Sequence, residues 1–266
     1  MNNSFFSIIT VVLNAKEDLE QTINSLRRQN FKNFEYIVID GGSSDGTKNI
    51  ILQNLDIIDK WVSEEDKGIY DAMNKGLELA NGEYIGMLNS GDKYTEDGLE
   101  IVFKYLNKKK YNFIFGTVMK KILRYGYRKY RILWNFDFAT SHSSGFFIKN
   151  EAQKKIGNYD LKFKISSDFD LFYRMIVIHK MKGLATKPGE QVGIFKSGSS
   201  YSSTFSFFEH LKEETLIRIK NKQNIFFIFI VYFLHFYKNR NSIKNQNKIK
   251  IFFSSFKNIL LNSNKN

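Results

Sequence analysis

The sequence predicts an α/β fold, with a mainly parallel central sheet flanked by helices and a helical extension at the C-terminus. Three observations carry this. Apolar runs of strand length recur between Phe6 and Leu88, amphipathic stretches at helical spacing separate them, and the runs end in turns rich in Gly, Ser and Asp. In 266 residues, 42% of them hydrophobic, this pattern can bury a substantial core, and one domain with an appendage is the simplest division.

Phe6–Leu13 (FSIITVVL) is a continuous apolar run, as expected for a strand buried on both faces. Leu19, Ile23 and Leu26 then recur at helical spacing, with Arg27 and Arg28 at the C-terminal end. Phe34–Ile39 (FEYIVI) is the second strand, stopped by Asp40-Gly41-Gly42-Ser43-Ser44-Asp45-Gly46-Thr47. A helix over Lys48–Gln53 and a short strand at Trp61–Ser63 follow. Ile69, Met73, Leu77 and Ala80 mark another amphipathic helix, ended by Asn81-Gly82. Glu83–Leu88 is a further strand, stopped by Asn89-Ser90-Gly91-Asp92. Alternation of this kind argues for a parallel sheet with helices on both faces.

Beyond Asn107 the pattern weakens. Phe113–Val118 reads as a strand and Met119–Trp134 as a basic, aromatic hairpin. Asp168–His179 reads as a helix with Leu171, Phe172, Met175 and Ile176 apolar, and Thr204–Lys222 as another. The expected division is residues 1–203 as the α/β domain and residues 204–266 as a basic, apolar, helical extension.

The net charge of +13 is unevenly placed: from Thr215 onward there are ten Lys or Arg and no Asp or Glu, so residues 1–214 carry only +3. A nucleic-acid binder carries its basic stripe on the folded domain, so no nucleic-acid partner is expected. There is no cysteine, hence no disulfide or thiolate metal site, and no HExxH. No basic leader or cleavage site precedes the first strand, which places the α/β part in the cytoplasm.

Asp40 and Asp92 each lie in a Gly/Ser-rich turn directly after an apolar strand. In an open parallel sheet the carboxyl ends of the strands share one edge, and ligands bind there. The competing reading is that each is a turn-former, satisfying nearby backbone N–H groups. Asp92 is the better metal candidate, because a hard divalent cation takes one or two carboxylates and completes its shell with phosphate and water. Neither GxGxxG nor GxxxxGK[ST] occurs, so dinucleotide and P-loop readings lack their residues.

Four segments carry a family resemblance: Ile9-Thr10-Val11-Val12-Leu13-Asn14, the run Asp40–Thr47, Asp66-Lys67-Gly68-Ile69-Tyr70-Asp71-Ala72-Met73-Asn74-Lys75-Gly76, and Leu88-Asn89-Ser90-Gly91-Asp92. In this order they resemble family 2 glycosyltransferases of the GT-A (nucleotide-diphospho-sugar transferase) fold. In particular they are similar to the bacterial branch that assembles colanic-acid-like exopolysaccharide, capsule and O-antigen. The likeness covers roughly residues 5–190. It implies inverting transfer of a sugar from a nucleoside-diphosphate donor, UDP foremost, to a glycan or lipid-linked acceptor, with Mg2+ or Mn2+ as cofactor. Leu13 and Asn14 match the nucleotide-facing end of the first strand, and Asp40 the residue that reads the base. Glu64, Asp66, Lys67, Asn89 and Gly91 match the donor-site lining, and Asp92 the last, metal-binding acid. Ser90 and Gly91 depart from the family, standing where other members carry a further Asp.

Ser166-Ser167-Asp168-Phe169-Asp170-Leu171 resembles the segment bearing the general base, with Asp168 in that role; N-capping of a helix is the structural alternative. Asp170 and His142 are candidates for acceptor or phosphate contact, with helix capping the better-supported reading for Asp170 and Ser143 replacing the Gln that usually follows the histidine. A structural histidine is as well supported for His142, and better for His179. Two other functions compete. Sugar nucleotidyl transfer needs a Gly-rich basic loop after the first strand, where Asn14-Ala15-Lys16-Glu17 has no glycine. A non-catalytic sugar-nucleotide-binding or membrane scaffold protein has no use for Asp40, Asp92 and Asp168 together.

In the tail, Ile225–Tyr237 is strongly apolar but short of a spanning helix. Ile249, Phe252, Phe253, Phe256, Ile259 and Leu260 fall on one helical face. Aromatic faces with basic flanks suit a helix lying in the interface of an anionic membrane, so peripheral contact at the inner face of the cytoplasmic membrane is expected. The alternative is that both runs cap the domain or form a homodimer contact.

Overall fold

A computed structural model of the chain describes residues 4–108, 110–134, 138, 143–196, 206–238 and 248–263. The first half follows the predicted alternation: β1 (Phe6–Val12), α1 (Lys16–Arg27), β2 (Phe34–Asp40), α2 (Thr47–Gln53), β3 (Lys60–Ser63), α3 (Ile69–Leu79) and β4 (Tyr84–Met87). Then come β5 (Lys93–Tyr94), α4 (Gly98–Leu106), β6 (Phe113–Phe115), β7 (Thr117–Met119), β8 (Leu123–Arg124) and α5 (Arg131–Trp134). β9 (Phe146–Lys149), α6 (Asn150–Ile156), α7 (Ser167–Tyr173), β10 (Gly183–Ala185) and β11 (Gln191–Ile194) complete the α/β body. Three helices end the described chain: α8 (Phe207–Lys220), α9 (Ile225–Lys238) and α10 (Lys248–Ser263).

Seven strands form the main sheet in the order β10-β6-β9-β4-β1-β2-β3. β1 pairs in parallel with β2 along its whole length (Phe6 opposite Phe34, Val12 opposite Asp40) and with β4 on its other side. Every residue of β1 is buried, as its unbroken apolar run requires. Alternate side chains enter opposite layers: Phe6, Ile8 and Val12 pack with Leu19, Ile23 and Leu26 of α1 and Leu99 and Val102 of α4, whereas Ile9 and Val11 pack with Met73 and Leu77 of α3 and Phe169 of α7. Each such side chain stabilises by about 1.5–3 kcal/mol on burial, which fixes register, since a one-residue slip would exchange the faces.

The second half departs from the reading in identifiable ways. The strand expected over Phe113–Val118 is two strands in two sheets: β6 in the main one and β7 in a four-stranded sheet of order β5-β11-β7-β8. The break is Gly116, whose absent side chain leaves room for Val192; a Cβ there would lie 2.7 Å from Val192 Cγ2. β9 enters antiparallel between β4 and β6, so the main sheet is parallel except for one strand. The expected hairpin over Met119–Trp134 is confined to β7 and β8, with α5 beyond it. The helix expected over Asp168–His179 is α7 continued by a π-helical turn, Arg174–Ile178.

The tail needs a correction. Phe252, Phe256 and Ile259 of α10, expected to face a membrane, are buried against Leu211 of α8 and Ile228, Tyr232 and Phe236 of α9. Three short helices have too little core unless apolar stripes face one another, and these three residues are used internally, whereas Phe253 of the same run stays exposed.

Polar groups join the layers at the α3–β4 turn. Glu35 of β2 accepts from Ser7 Oγ, from the N–H groups of Asn81 (2.6 Å) and Gly82 (3.0 Å), and from Lys60 Nζ (2.6 Å). A Cβ on Gly82 would lie 2.6 Å from the backbone carbon of Phe6 and 2.6 Å from the nitrogen of Ser7, neither of which can yield without moving β1. Gly82→Ala is therefore expected to destabilise the fold by about 1–3 kcal/mol, the usual range for overpacking. Denaturant unfolding checks this; an unchanged midpoint would mean that β1 is not held as described.

Candidate functional site

Because β1, β2 and β4 run parallel, the loops that leave them meet at one edge. The turn after β2 and the loop Asn89–Asp92 after β4 flank the end of β1, and backbone bonds from Gly41 N–H to Val12 O (2.9 Å) and Ser90 N–H to Val11 O (3.3 Å) attach both to it. Asn14 has a left-handed backbone, φ 49°, which Asn tolerates better than most residues. Its N–H donates to Ser43 Oγ (2.7 Å) and its Oδ1 accepts from Ser44 N–H (2.9 Å), so the first two loops are stitched together. Leu13 is left 60% exposed at this edge.

Asp40 is fully buried, and its carboxylate accepts from Ser43 N–H (3.2 Å) and from Ser63 Oγ (2.7 Å) at the end of β3. Its visible role is to hold the 40–47 turn against β3. The acid that faces the edge is Asp66. A Cβ on Gly41 would lie 2.8 Å from Asp66 Oδ2 and 3.5 Å from Leu13 Cδ1, so glycine keeps open a cradle walled by Leu13 and Asp66. The other oxygen of Asp66 is held by Lys75 Nζ (2.6 Å), which also pairs with Glu64 (2.8 Å). Lys67 is exposed beside them, its backbone N–H donating to Asp71 (3.0 Å).

Asp92 is 3% exposed. Its Oδ1 accepts from Lys196 N–H (3.0 Å), whereas Oδ2 has no hydrogen-bond partner, and neither have the buried Asn89 Oδ1 and Ser90 Oγ. Burial raises its pKa to about 7, against the pull of the Lys196 N–H, the nearby Ser143 hydroxyl and the Lys120 charge. A desolvated carboxylate with an unspent oxygen beside two further unspent oxygens suits a hard cation, so the residues present fit Mg2+ or Mn2+ with Asp92 as the single carboxylate. Among the described residues there is no cluster of three or more His, Cys, Asp or Glu. Gly91, at φ 91°, lets the Lys196 side chain cross the loop to Asp18, with which it pairs at 2.5 Å.

Asp168 lies in the first turn of α7. The N-cap position belongs to Ser166, whose side chain makes no capping bond, and Asp168 satisfies the first-turn N–H of Phe169. Asp168 is solvent-accessible yet recessed among protein atoms, and this burial raises its pKa; the Phe169 N–H (2.8 Å) and the Tyr70 hydroxyl (3.3 Å) donate to its Oδ1 and oppose the shift. The single Tyr70 O–H is shared, with Ile165 O the nearer acceptor (2.8 Å) and Asp168 Oδ1 the farther, and the ring stacks on Tyr159. Tyr70 sits in the first turn of α3, four residues after Asp66, and Lys75 of the same helix holds Asp66, so α3 contacts both Asp66 and Asp168.

Asp170 is elsewhere. Its side chain is buried with Arg174 Nε (2.8 Å), Lys220 Nζ (3.0 Å) and Asn221 (3.1 Å), tying α7 to α8 rather than facing the strand ends. His142 lies outside the described residues. A cavity of about 610 Å3 between residues 160–165 and α8 is lined by Phe163, Ile165 and Leu216 with Lys162, Lys164 and Lys212, and by none of the strand-end residues. Sequence reasoning missed Lys75, Tyr70 and Lys196. The first two fall inside the Asp66–Gly76 segment and were within reach; Lys196 joins Asp92 across 104 residues, with no local signal.

The raised pKa of Asp92 fixes the sign of a pH effect. An unfolded Asp ionises near 3.9, so the folded chain holds the extra proton between about pH 4 and pH 7, and stability falls as pH rises through that window. Asp92→Asn, which cannot ionise, is expected to melt higher than the wild type at pH 8, with the gap closing towards pH 4. Mn2+ is expected to raise the wild-type Tm at pH 8 and not that of the variant. Thermal melts across pH check both, and a pH-independent difference would contradict the burial argument.

The family model described as Glycosyl transferase family 2 matches residues 7–176. A putative teichuronic acid biosynthesis glycosyltransferase, TuaG of Bacillus subtilis (strain 168), is 36% identical over 113 residues; the match spans 41% of this chain and 44% of that relative. Among solved structures, S. aureus TarS 1-349 in complex with UDP-GlcNAc superposes with TM-score 0.71 at 12% identity, covering 96% of this chain and 80% of that one. The mannosyltransferase PcManGT from Pyrobaculum calidifontis, in complex with GDP-Man and Mn2+, gives 0.59 at 15% identity over 99% and 72%. At such identities the likeness is one of fold, and the fold is GT-A, as expected from the sequence.

Proposed function

This chain belongs to glycosyl transferase family 2, and from that premise we propose that it is an inverting glycosyltransferase. It moves a sugar from a nucleoside-diphosphate donor, UDP foremost, to a glycan or lipid-linked acceptor of a bacterial surface polysaccharide. It works in the cytoplasm at the inner face of the membrane. One observation supports this above the rest. α3 contacts Asp66 of the Leu13–Gly41–Asp66 cradle through Lys75 and Asp168 through the Tyr70 hydroxyl, so a donor group and a carboxylate base have neighbouring seats. The TarS and PcManGT structures, in complex with UDP-GlcNAc and GDP-Man, share the fold.

In this reading the nucleotide lies along Leu13, Asn14 and Asp66, with Asp40 keeping its turn in place and Glu64, Lys67, Asn89 and Gly91 lining the donor. Leu13 and the side-chain-free Gly41 offer a flat face, and Asp66 Oδ2 an acceptor for a base or ribose donor group. Mg2+ or Mn2+, held by Asp92 with Asn89 and Ser90 beside it, would neutralise the departing diphosphate. Asp168 takes the proton from the acceptor hydroxyl as its oxygen bonds to the anomeric carbon and the nucleoside diphosphate leaves from the opposite face, inverting that centre. A sugar hydroxyl is too weak an acid to ionise unaided, and a positioned base contributes about 10²–10⁴-fold. The raised pKa of Asp168 suits this, since a carboxylate nearer neutrality holds a proton better.

The test is a screen of nucleotide sugars with Mn2+ or Mg2+ for release of nucleoside diphosphate. Asp168→Asn is expected to lower transfer by about 10²–10⁴-fold while retaining donor binding. The acidic limb of the wild-type pH profile is expected above the ordinary carboxylate range. Undiminished transfer by Asp168→Asn would remove the base assignment. Nucleotide binding with neither hydrolysis nor transfer of any sugar would favour a non-catalytic binding protein.

A further inference from the structure

We propose that the outer face of α9 is a docking surface for an anionic bilayer, with Phe226, Phe233, Leu234 and Tyr237 as the inserted side chains. This deepens the membrane placement given above and assigns it to the first of the two apolar runs in the tail. α9 packs its inner face, Ile228, Val231, Tyr232 and Phe236, inside the three-helix unit. The opposite face, edged by Phe229 with its ring against Phe252 and Phe256 of α10, carries Phe226, Ile230, Phe233, Leu234 and Tyr237, all exposed, with Phe226 at 78%. Their spacing of three and four residues draws one unbroken apolar stripe along the helix. Scattered exposed apolar residues need no explanation, but a contiguous stripe of large ones marks a binding face.

The occupant follows from charge and length. Lys222 precedes the stripe and Lys238 ends it, Lys250 and Lys257 are exposed on the adjoining α10, and no acidic residue occurs from Thr215 to the end of the sequence. A second copy docked stripe to stripe would bring two cationic rims together, whereas an anionic surface meets the same rims with opposite charge. The 14 residues of α9 make a helix about 21 Å long, against a hydrocarbon core of about 30 Å. Among the described residues no helix is long and apolar enough to cross a membrane, so the stripe suits a helix lying in the interface. Glu213 of α8 accepts from the N–H groups of Lys164, Ile165 and Ser166, each at 2.9 Å, and Lys220 pairs with Asp160 and Asp170, so the docking unit is fastened to the segment that carries Asp168.

The test is co-sedimentation of the full chain with phosphatidylcholine vesicles, with and without phosphatidylglycerol. The wild type is expected to bind the anionic vesicles, more weakly as salt rises, and to bind neutral ones poorly. Phe226→Ser combined with Phe233→Ser, both at exposed positions, is expected to reduce binding by more than about tenfold. Lys222→Gln and Lys238→Gln are expected to reduce it by about fivefold each. Donor hydrolysis in vesicle-free buffer is read in parallel and is expected to be unchanged in these variants, so failure of the docking idea and failure of the enzymatic reading are separable. Equal vesicle binding by wild type and the Phe variant would overturn the proposal. So would a wild-type dimer, seen by equilibrium sedimentation and dissolved by the Phe substitutions, with no vesicle binding.

Discussion

The parallel pairing of β1 with both β2 and β4 is the constraint on which the rest depends. It needs β1 buried on both faces, which its apolar run supplies, and it brings the ends of three strands to one edge. Everything placed there is short-range: a glycine that keeps a cradle open, a left-handed Asn that ties two loops, and an acid whose free oxygen has nowhere else to turn. Were the strands antiparallel, the same loops would lie at opposite ends of the sheet.

Two acids with similar sequence settings are both buried, and their hydrogen-bond partners differ. Asp40 is buried and accepts bonds from Ser43 and Ser63, so its oxygens are satisfied locally. Asp92 is buried with one oxygen unspent, and its pKa climbs to about 7. A buried, unmatched acceptor costs about 1–3 kcal/mol, more when charged, and such a cost persists in a fold when a ligand relieves it. The difference separates a structural acid from one suited to a cation.

The second half of the chain works through a few long-range polar contacts. Tyr70 carries α3 to the turn before Asp168, Asn74 exchanges bonds with the backbone of Tyr159, and Glu213 and Lys220 fasten α8 to the same region. Truncating one partner of such a contact leaves the other buried and unpaired, so the start of α7 is held from two sides. The tail is thereby continuous with the body in mechanical terms, whatever its outer face meets.

What the sequence determined by itself was local: strand and helix order through Asp92, the turn residues that stop each strand, and the four segments that carry the family resemblance. A continuous apolar run or a three-and-four spacing is a property of neighbours in the chain, so it can be read without coordinates. The antiparallel insertion of β9, the break at Gly116, the meeting of Asp66 with Gly41, and the Lys196 N–H on Asp92 were settled only by tertiary structure. So was the choice between two apolar stripes in the tail: α10 turns Phe252, Phe256 and Ile259 inside and α9 leaves a stripe outside. Periodicity says that a face is apolar. Which face is covered depends on what packs against it, and that is fixed by contacts between residues far apart in the chain.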